Sequence, residues 1–358
     1  MRRRFFKLIA YIMSFVLMFN HINLGNGGTV TLKAQSATTM ANVVLFIDFA
    51  DTDHSAHNEQ AGLLGECFLE NPQTTFDLFN GSDSEPAGMK YYLSQISYGQ
   101  LQVTNIFPQY DDKTGQINPF RVSGTAADYA DGGSMTLLTE AVELLNASGL
   151  MTEDADLNND GVVDNVVLVV AADNEGDKEL FTSHKSSLGG YASIGDLKVN
   201  SYNLVTESQS YMYVDKSGVI THEFLHTMGY PDLYKVGAPE NSTATPVGNW
   251  DIMASSGMYL QYPLAYLRSA VTGWFNIPTI TSDVAGYTIY APTSATDATK
   301  DNQAVILKTD YSDTEFFVVE YRVKDPTYLS DKYDAKVYGS GLIIYRVDIK
   351  QPKNIYIC

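Results

Sequence analysis

The stretch that decides the fold is Thr221-His-Glu-Phe-Leu-His-Thr-Met-Gly-Tyr-Pro-Asp232. Residues 218–228 have the spacing of a helix, and side chains four positions apart lie on one face of a helix. His222 and His226 can therefore direct both imidazoles at one ion. Glu223 is displaced by one position, toward a water on that ion. This pattern predicts a metal site with its own general base.

The residues after this helix offer a third ligand. Gly229 follows His226 by three positions, and glycine tolerates the positive φ that a sharp turn requires. The turn brings Asp232 back toward the same ion, while Glu240 and Glu207 remain alternatives for the third ligand. Two histidines and one carboxylate, with the fourth position left for water, form the open coordination of a catalytic zinc site.

A second motif lies about twenty residues downstream, in Gly248-Asn-Trp-Asp-Ile-Met-Ala-Ser-Ser-Gly257. A methionine in a tight turn of small residues at this distance is typical of the methionine turn, the apolar floor beneath the metal in metzincin proteases. Met253 is the candidate. The alternative is that Met253 only fills the core, as most methionines do.

The rest of the pattern predicts an α+β fold: a metzincin-like catalytic domain with a twisted mixed sheet and packed helices, followed by a β-rich C-terminal piece. Continuous apolar runs predict buried strands, and apolar residues three and four apart predict amphipathic helices. The predicted strands are 42–49, 101–107, 166–171, 305–307, 316–321 and 341–347, and the predicted helices are 89–96, 134–146 and 218–228.

Residues 1–36 have the layout of a secretory signal: three arginines, an apolar stretch over residues 8–19, and a polar region rich in small residues. We expect cleavage near Ser36, with a retained N-terminal anchor as the alternative. The apolar stretch is short for a membrane span, which needs about 20 residues. The predicted domains are then the catalytic domain, 37–280, and the β-rich region, 281–358. The protein is expected to be secreted or at the cell surface, without stable membrane insertion after signal cleavage.

The composition is that of a globular protein. The net negative charge of the chain limits the classes of molecule that it can bind. The chain has 23 Lys and Arg against 42 Asp and Glu, a formal charge of -19. Phosphate backbones and anionic lipids would repel such a chain, so nucleic-acid binding is excluded and cation binding is favoured. Two cysteines cannot build a metal site, which leaves His, Asp and Glu as ligands. We expect a monomer.

An acidic loop, Asp154-Ala-Asp-Leu-Asn-Asn-Asp-Gly-Val-Val-Asp164, predicts a calcium site. Oxygen donors recur at the spacing of a calcium-binding loop, with Gly161 at its sharp turn. Val167 stands where such loops carry a bidentate glutamate, so Asp164 must substitute. The alternative is a solvated turn. The predicted ligands are Asp156, Asn158, Asp160, Val162 through its carbonyl, and Asp164.

Residues 222–234 and 248–255 together resemble the immune inhibitor A family of secreted bacterial metalloproteases. The likeness extends to residues 43–51, 92–100 and 341–348 and to the acidic loop. The resemblance implies a zinc endopeptidase of metzincin-like fold, often calcium-stabilised. The residues that it implies are His222, His226 and Asp232 as zinc ligands and Glu223 as general base.

The expected function is therefore a secreted zinc-dependent endopeptidase acting on protein or peptide substrates. The alternatives are a zinc exopeptidase and a catalytically silent extracellular binding protein that keeps a structural metal. Metzincins with an oxyanion-stabilising tyrosine place it two residues after the methionine, where this chain has Ser255. Tyr234 and Tyr259 are possible substitutes, and the resemblance places His184 near the cleft wall.

Overall fold

A computed structural model describes residues 37–52, 72–84, 86–130, 132–151, 153–170, 181–207, 217–234, 246–256, 260–283, 285–308, 311–325, 333–350 and 355–357. The predicted signal peptide, Glu240 and Tyr259 lie outside these ranges. No helix within them is long and apolar enough to cross a membrane.

The larger sheet is mixed, with parallel strands and one antiparallel edge. Its described strands are β1 (Thr38–Asp48), β2 (Leu101–Ile106), β5 (Phe120–Arg121), β6 (Val166–Val170), β7 (His184–Ile194) and β8 (Leu197–Thr206). β1 pairs in parallel with β2, β5 and β6, and β6 pairs in parallel with β8. β7 pairs antiparallel with β8 and forms an edge of the sheet. Two short strands, β3 (Tyr110–Asp111) and β4 (Gln116–Ile117), form a separate pair.

Both faces of β1 are buried, which explains its continuous apolar sequence. Val44 and Phe46 point into one core, and Val43, Leu45 and Ile47 point into another on the opposite face. Successive side chains of a strand alternate between the two faces of a sheet, so a strand covered on both sides needs apolar residues at every position.

Helices cover the two faces. They are α1 (Pro72–Asn80), α2 (Met89–Ile96), α3 (Ala126–Tyr129), α4 (Ser134–Ser148), α5 (Gly218–Thr227) and α6 (Ala265–Ala270), with short 3-10 turns at Gly248–Trp250, Pro292–Ser294 and Lys300–Asn302. α4 buries the stripe that its sequence predicts, including Leu137 and Leu145, against one face. α2 and α5 contribute to the core on the other face.

The C-terminal strands form a second sheet in the order β13-β12-β11-β10-β9. Their bounds are β9 (Thr279–Ile280), β10 (Ala304–Lys308), β11 (Glu315–Arg322), β12 (Gly341–Asp348) and β13 (Ile355–Ile357). Val318 and Tyr345 on its inner face belong to the same core as Phe224 of α5. Residues 37–358 group as one compact unit. The division between residues 280 and 281 stays a prediction.

The structure confirms the α+β class and each predicted helix and strand, with ends that shift by a few residues. β1 starts at Thr38 rather than at residue 42, and α4 continues to Ser148 rather than residue 146. The sequence analysis missed the β7–β8 hairpin. Its signal was the Gly195-Asp196 pair, a typical two-residue hairpin turn, and Gly195 adopts a φ of 56°.

Candidate metal centre and cleft

Helix α5 is held tightly at its start and along its buried face. A Cβ on Gly218 would overlap the carbonyl oxygen of Ser256, so only glycine allows this approach of the helix to the segment after the methionine turn. Phe224 is fully buried in the core. His222 and Glu223 are only 4% and 5% exposed. A charged group buried this deeply is paired, binds a metal or shifts its pKa toward the neutral form.

Buried asparagines attach α5 to the sheet. Asn203 Nδ2 of β8 donates to the carbonyl oxygen of Glu223 at 2.9 Å. Asn165 Nδ2 donates to Oδ1 of Asn42 and of Asn203, both at 2.8 Å. The hydroxyl of Thr227 donates to Asn165 Oδ1 at 3.0 Å. This network fixes α5 against three neighbouring strands at the level of Glu223.

The chain reverses after α5 and returns to the histidines. Gly229 has a φ of 94°, which non-glycine residues rarely adopt, and the amide of Tyr230 donates to the carbonyl of Leu225 at 3.1 Å. The amide of Leu233 then donates to the carbonyl of Met253 at 2.9 Å. These contacts fix both ends of the segment that carries Asp232.

Three side chains converge on one point. Oδ1 of Asp232 lies 3.2 Å from Nε2 of His222 and 3.1 Å from Nε2 of His226. One ligand atom from each residue lies within 4.8 Å of the others, and this is the one such group of His, Cys, Asp and Glu among the described residues. Glu223 is not a member, as expected of a base rather than a ligand.

The histidine rings are oriented by main-chain carbonyls. Nδ1 of His222 lies 3.0 Å from the carbonyl oxygen of Ile252, and Nδ1 of His226 lies 2.7 Å from that of Tyr230. A neutral ring that donates from Nδ1 presents its lone pair at Nε2. Oδ1 of Asp232 is buried and accepts no well-formed hydrogen bond from any residue that the structure describes. Three electron-pair donors thus face one another, an arrangement that needs a cation between them, so the residues fit a metal ion.

The electrostatics of the cluster favour positive charge. Burial alone would raise the pKa of Asp232, but the adjacent His222 and His226 outweigh burial and hold that pKa well below its usual range. Burial likewise opposes protonation of His222, yet Asp232 and the charge of Glu223 raise the pKa of the imidazole. In the absence of a metal ion, a proton on the His222 ring would supply positive charge to the cluster.

Glu223 is placed to exchange protons. Burial raises the pKa of its carboxyl, although the neighbouring histidines act to lower it. Its Oε2 is buried and has no hydrogen-bond partner among the described residues. A carboxyl with a raised pKa and an unused oxygen beside a metal site suits general acid–base catalysis near neutral pH.

The methionine turn is held together by Asp251. Oδ1 of Asp251 accepts the amide of Met253 at 2.7 Å, and Oδ2 accepts the amide of Leu264 at 2.6 Å. Burial raises the pKa of Asp251 to about 6, although both amides act to lower it. Met253 is fully buried. The turn therefore both packs in the core and presents the Ile252 carbonyl to His222.

A cleft of about 410 Å³ opens beside the cluster. The start of β7 lines one side with His184 and Lys185, while α5 and the following turn line the other. The ring of Tyr234 lies nearly parallel to that of His222, with centroids 6.3 Å apart. Burial, followed by the nearby Asp232, raises the pKa of Tyr234 to about 12, so the phenol keeps its proton and can donate a hydrogen bond.

The acidic loop closes on its own backbone. The two carboxylate oxygens of Asp156 accept the amides of Asp160 at 3.0 Å and Gly161 at 2.8 Å. Asp164 Oδ2 accepts the amides of Ala41 at 2.8 Å and Leu157 at 3.0 Å. Asn158 Nδ2 donates to Asp164 Oδ1 at 2.8 Å, and the amide of Val162 donates to Asp160 Oδ1 at 2.9 Å. The structure thus explains the loop as a turn, and calcium binding there stays a prediction.

The structure brings together His222, His226 and Asp232, with Glu223 beside them and the turn of Met253 below. Glu207, an alternative third ligand, is buried at the end of β8 and is not part of the cluster. The sequence analysis missed Lys185 and Asp251. Lys185 lies on the unpredicted hairpin. Asp251 accepts the amide of Met253 two residues on, but its second contact, with an amide 13 positions away, has no local signal in the sequence.

No protein-family model matches the chain, and neither does any curated protein. Among solved structures, wild-type OgpA from Akkermansia muciniphila shares 11% identity with this chain at a TM-score of 0.34, covering 94% of this chain and 96% of the other. Catalytically inactive OgpA in complex with an O-glycopeptide substrate shares 10% identity at a TM-score of 0.32, covering 94% and 96%. A likeness at this level supports no conclusion about function. The functional proposal therefore rests on the residues of the site alone.

Proposed function

We propose that this protein is an exported zinc-dependent endopeptidase that hydrolyses peptide bonds of protein substrates. The observation that carries the proposal is the convergence of His222, His226 and Asp232 on one point in an open cleft, with the Glu223 carboxyl outside the ligand group. A purely structural zinc site closes its coordination with four protein ligands. Here three protein ligands face a cleft, which leaves room for water and substrate.

The donor set favours zinc. Two imidazole nitrogens and one carboxylate oxygen suit this borderline ion, whereas calcium and magnesium prefer oxygen donors alone. Both imidazoles are oriented from behind by main-chain carbonyls, a recurring feature of metal-binding histidines. A zinc ion bound there would lower the pKa of a bound water to about 7 and polarise the substrate carbonyl.

The protein's own groups then handle the proton. Glu223 accepts a proton at its free carboxylate oxygen from the water that attacks the peptide carbon, and later delivers this proton to the leaving nitrogen. Tyr234 can donate a hydrogen bond from its phenol to the carbonyl oxygen as negative charge develops there. The Asn203 amide holds the backbone of Glu223, so the base keeps its position during both transfers.

The finer assignment is to a metzincin-like protease of the immune inhibitor A type. It rests on the zinc helix, the turn of Met253 and the other quoted stretches. A mostly parallel sheet whose antiparallel edge strand lines the cleft is compatible with it. Export rests on the signal-like residues 1–36, and we retain a calcium-binding role for the acidic loop as part of the same proposal.

Casein digestion followed by mass spectrometry of the fragments tests the proposal. We expect internal cleavage that stops when zinc is chelated and returns when zinc is restored. Glu223→Gln should keep zinc and fold but lose about 10²-fold or more in activity, the usual scale of general acid–base catalysis. Glu143→Gln, an exposed substitution of the same type on α4, is the control. Activity of Glu223→Gln close to that of the wild type, or cleavage insensitive to chelation, would contradict the mechanism.

A further inference from the structure

Lys185 lies on the cleft side of the edge strand. It pairs with Asn203 across β7 and β8, and residues opposite each other in a sheet share a face. Asn203 uses that face to bind the carbonyl of Glu223 on α5. Lys185 therefore stands on the same side of the sheet as the catalytic helix, and it lines the same cleft as Glu223 and His226.

No carboxylate neutralises this ammonium group within the described part of the chain. Nζ of Lys185 donates to the hydroxyl of Ser187 at 2.7 Å, and no ion pair to an Asp or Glu accompanies that bond. Partial burial lowers the pKa of Lys185. A partly desolvated cation held by a single neutral hydroxyl retains the capacity to bind an anion.

The other charges of the cleft determine whether the Lys185 ammonium group is free to bind an anion of the substrate. Lys185 is the one lysine or arginine among the described cleft-lining residues, in a chain whose formal charge is -19. Asp232 and Glu223 together carry two negative charges, which a divalent zinc ion would balance. Among the described residues of the cleft, Lys185 then remains as the uncompensated charge.

We propose that Lys185 forms a subsite for a carboxylate of the substrate, close to the scissile bond. This inference rests on the proposed peptidase function and adds a substrate preference to it. A carboxylate can come from an Asp or Glu side chain or from the C-terminus of a peptide. The first source gives an endopeptidase that prefers acidic sequences, and the second gives an enzyme that releases short C-terminal fragments.

Matched peptides distinguish the two sources. One peptide set carries a single Glu or Gln at successive positions around the cleaved bond, each with an amidated C-terminus. A second set carries Gln throughout and ends in either a free carboxylate or an amide. For each pair we compare kcat/KM of the carboxylate peptide with kcat/KM of its neutral partner. We expect this ratio to reach about tenfold at one position in one of the two sets. Tenfold is the lower end of the range for a hydrogen bond to a charged group, as suits an open cleft.

Substitutions at Lys185 test whether this residue causes the preference. In Lys185→Gln the ratio should fall to about one, in Lys185→Arg it should persist, and in Lys185→Glu it should invert in favour of neutral or basic peptides. Lys198→Gln makes the same charge change on the exposed part of the same hairpin and should keep the wild-type ratio. A ratio within one variant is independent of how much active enzyme that variant contains.

A binding measurement keeps the inference testable apart from turnover. The same peptides are titrated into Glu223→Gln, with zinc bound and after chelation, and into the Glu223→Gln, Lys185→Gln double variant. Tighter binding of the carboxylate peptide that disappears in the double variant supports the subsite even if no peptide is cleaved. Equal binding and equal kcat/KM for both partners, or a preference that survives Lys185→Gln, would overturn it. Absence of any cleavage by the wild type would refute only the peptidase proposal.

Discussion

Asp251→Asn should change how the stability of the protein depends on pH. The Asp251 carboxyl is fully buried and accepts two backbone amides, those of Met253 and Leu264. Its pKa in the folded protein is raised to about 6, chiefly by burial. In the unfolded chain an aspartate has a pKa of about 3.9. The folded state therefore binds this proton more tightly than the unfolded state.

Proton linkage gives the direction and the magnitude of the change in unfolding free energy with pH. A group whose folded pKa is raised contributes stability at low pH and loses it as the pH rises through that folded pKa. The difference between about 6 and about 3.9 corresponds to about 3 kcal/mol at neutral pH, and to about 2 kcal/mol between pH 4 and pH 7. Asparagine does not titrate, so the stability of the variant does not fall in this way as the pH rises. It carries instead a constant penalty of about 1–3 kcal/mol, because its single carbonyl oxygen serves only one amide fully.

Denaturant unfolding of both proteins at pH 4, 5, 6 and 7, with zinc chelated, measures the effect. The free energy of unfolding of Asp251→Asn, minus that of the wild type, should increase across this range. Asp111→Asn is the control, because the amide of Lys113 lowers the pKa of the exposed Asp111, so this carboxylate stays charged and its variant's difference should be nearly constant from pH 5 to pH 7. A difference for Asp251→Asn that does not vary with pH would refute the buried, titrating carboxyl.

Three further outcomes are expected. Asp232→Ala should lose stoichiometric zinc, because two imidazoles alone do not make a tight site, and full zinc content by mass spectrometry would remove this residue from the ligands. Asn203→Ala should lower kcat by about tenfold with little change in KM, since it frees the backbone of the general base, and a change confined to KM would argue against that role. Calcium should raise the melting temperature of the wild type but not of a variant with Asp156→Ala and Asp160→Ala, and overlapping scans with calcium and with chelator would show that the loop is only a turn.

Local sequence pattern was sufficient to predict much of the fold and the residues that converge in the candidate site. The apolar run of β1 and the helical stripe of α4 specify elements that are buried as expected, since burial on one or two faces leaves a direct trace in sequence. The pairing of His222 and His226 in the candidate metal site also follows from the sequence, because the two residues are one helical turn apart. Gly229 marks the point where the chain must reverse.

The features that escaped prediction depend on contacts between distant residues. β7 is the edge strand of the sheet and places polar side chains in the cleft, so it lacks the continuous apolar pattern of a central strand. Asn42, Asn165 and Asn203 look like ordinary polar residues until the strands are placed side by side. Only the fold shows that their amides form one network beneath helix α5.

The C-terminal sheet shows why such distant contacts matter for the site. Arg322 of β11 is fully buried, pairs with Asp334 and Glu320, and donates from Nη1 to the carbonyl of Trp250 at 2.9 Å. Trp250 immediately precedes the aspartate that holds the methionine turn. Buried ion pairs add little net stability, yet removing one partner costs about 3–5 kcal/mol because the other charge is left uncompensated. The ion pairs of Arg322 therefore act mainly by fixing geometry, and through Trp250 they connect the β-rich sheet to the turn beneath the candidate metal centre.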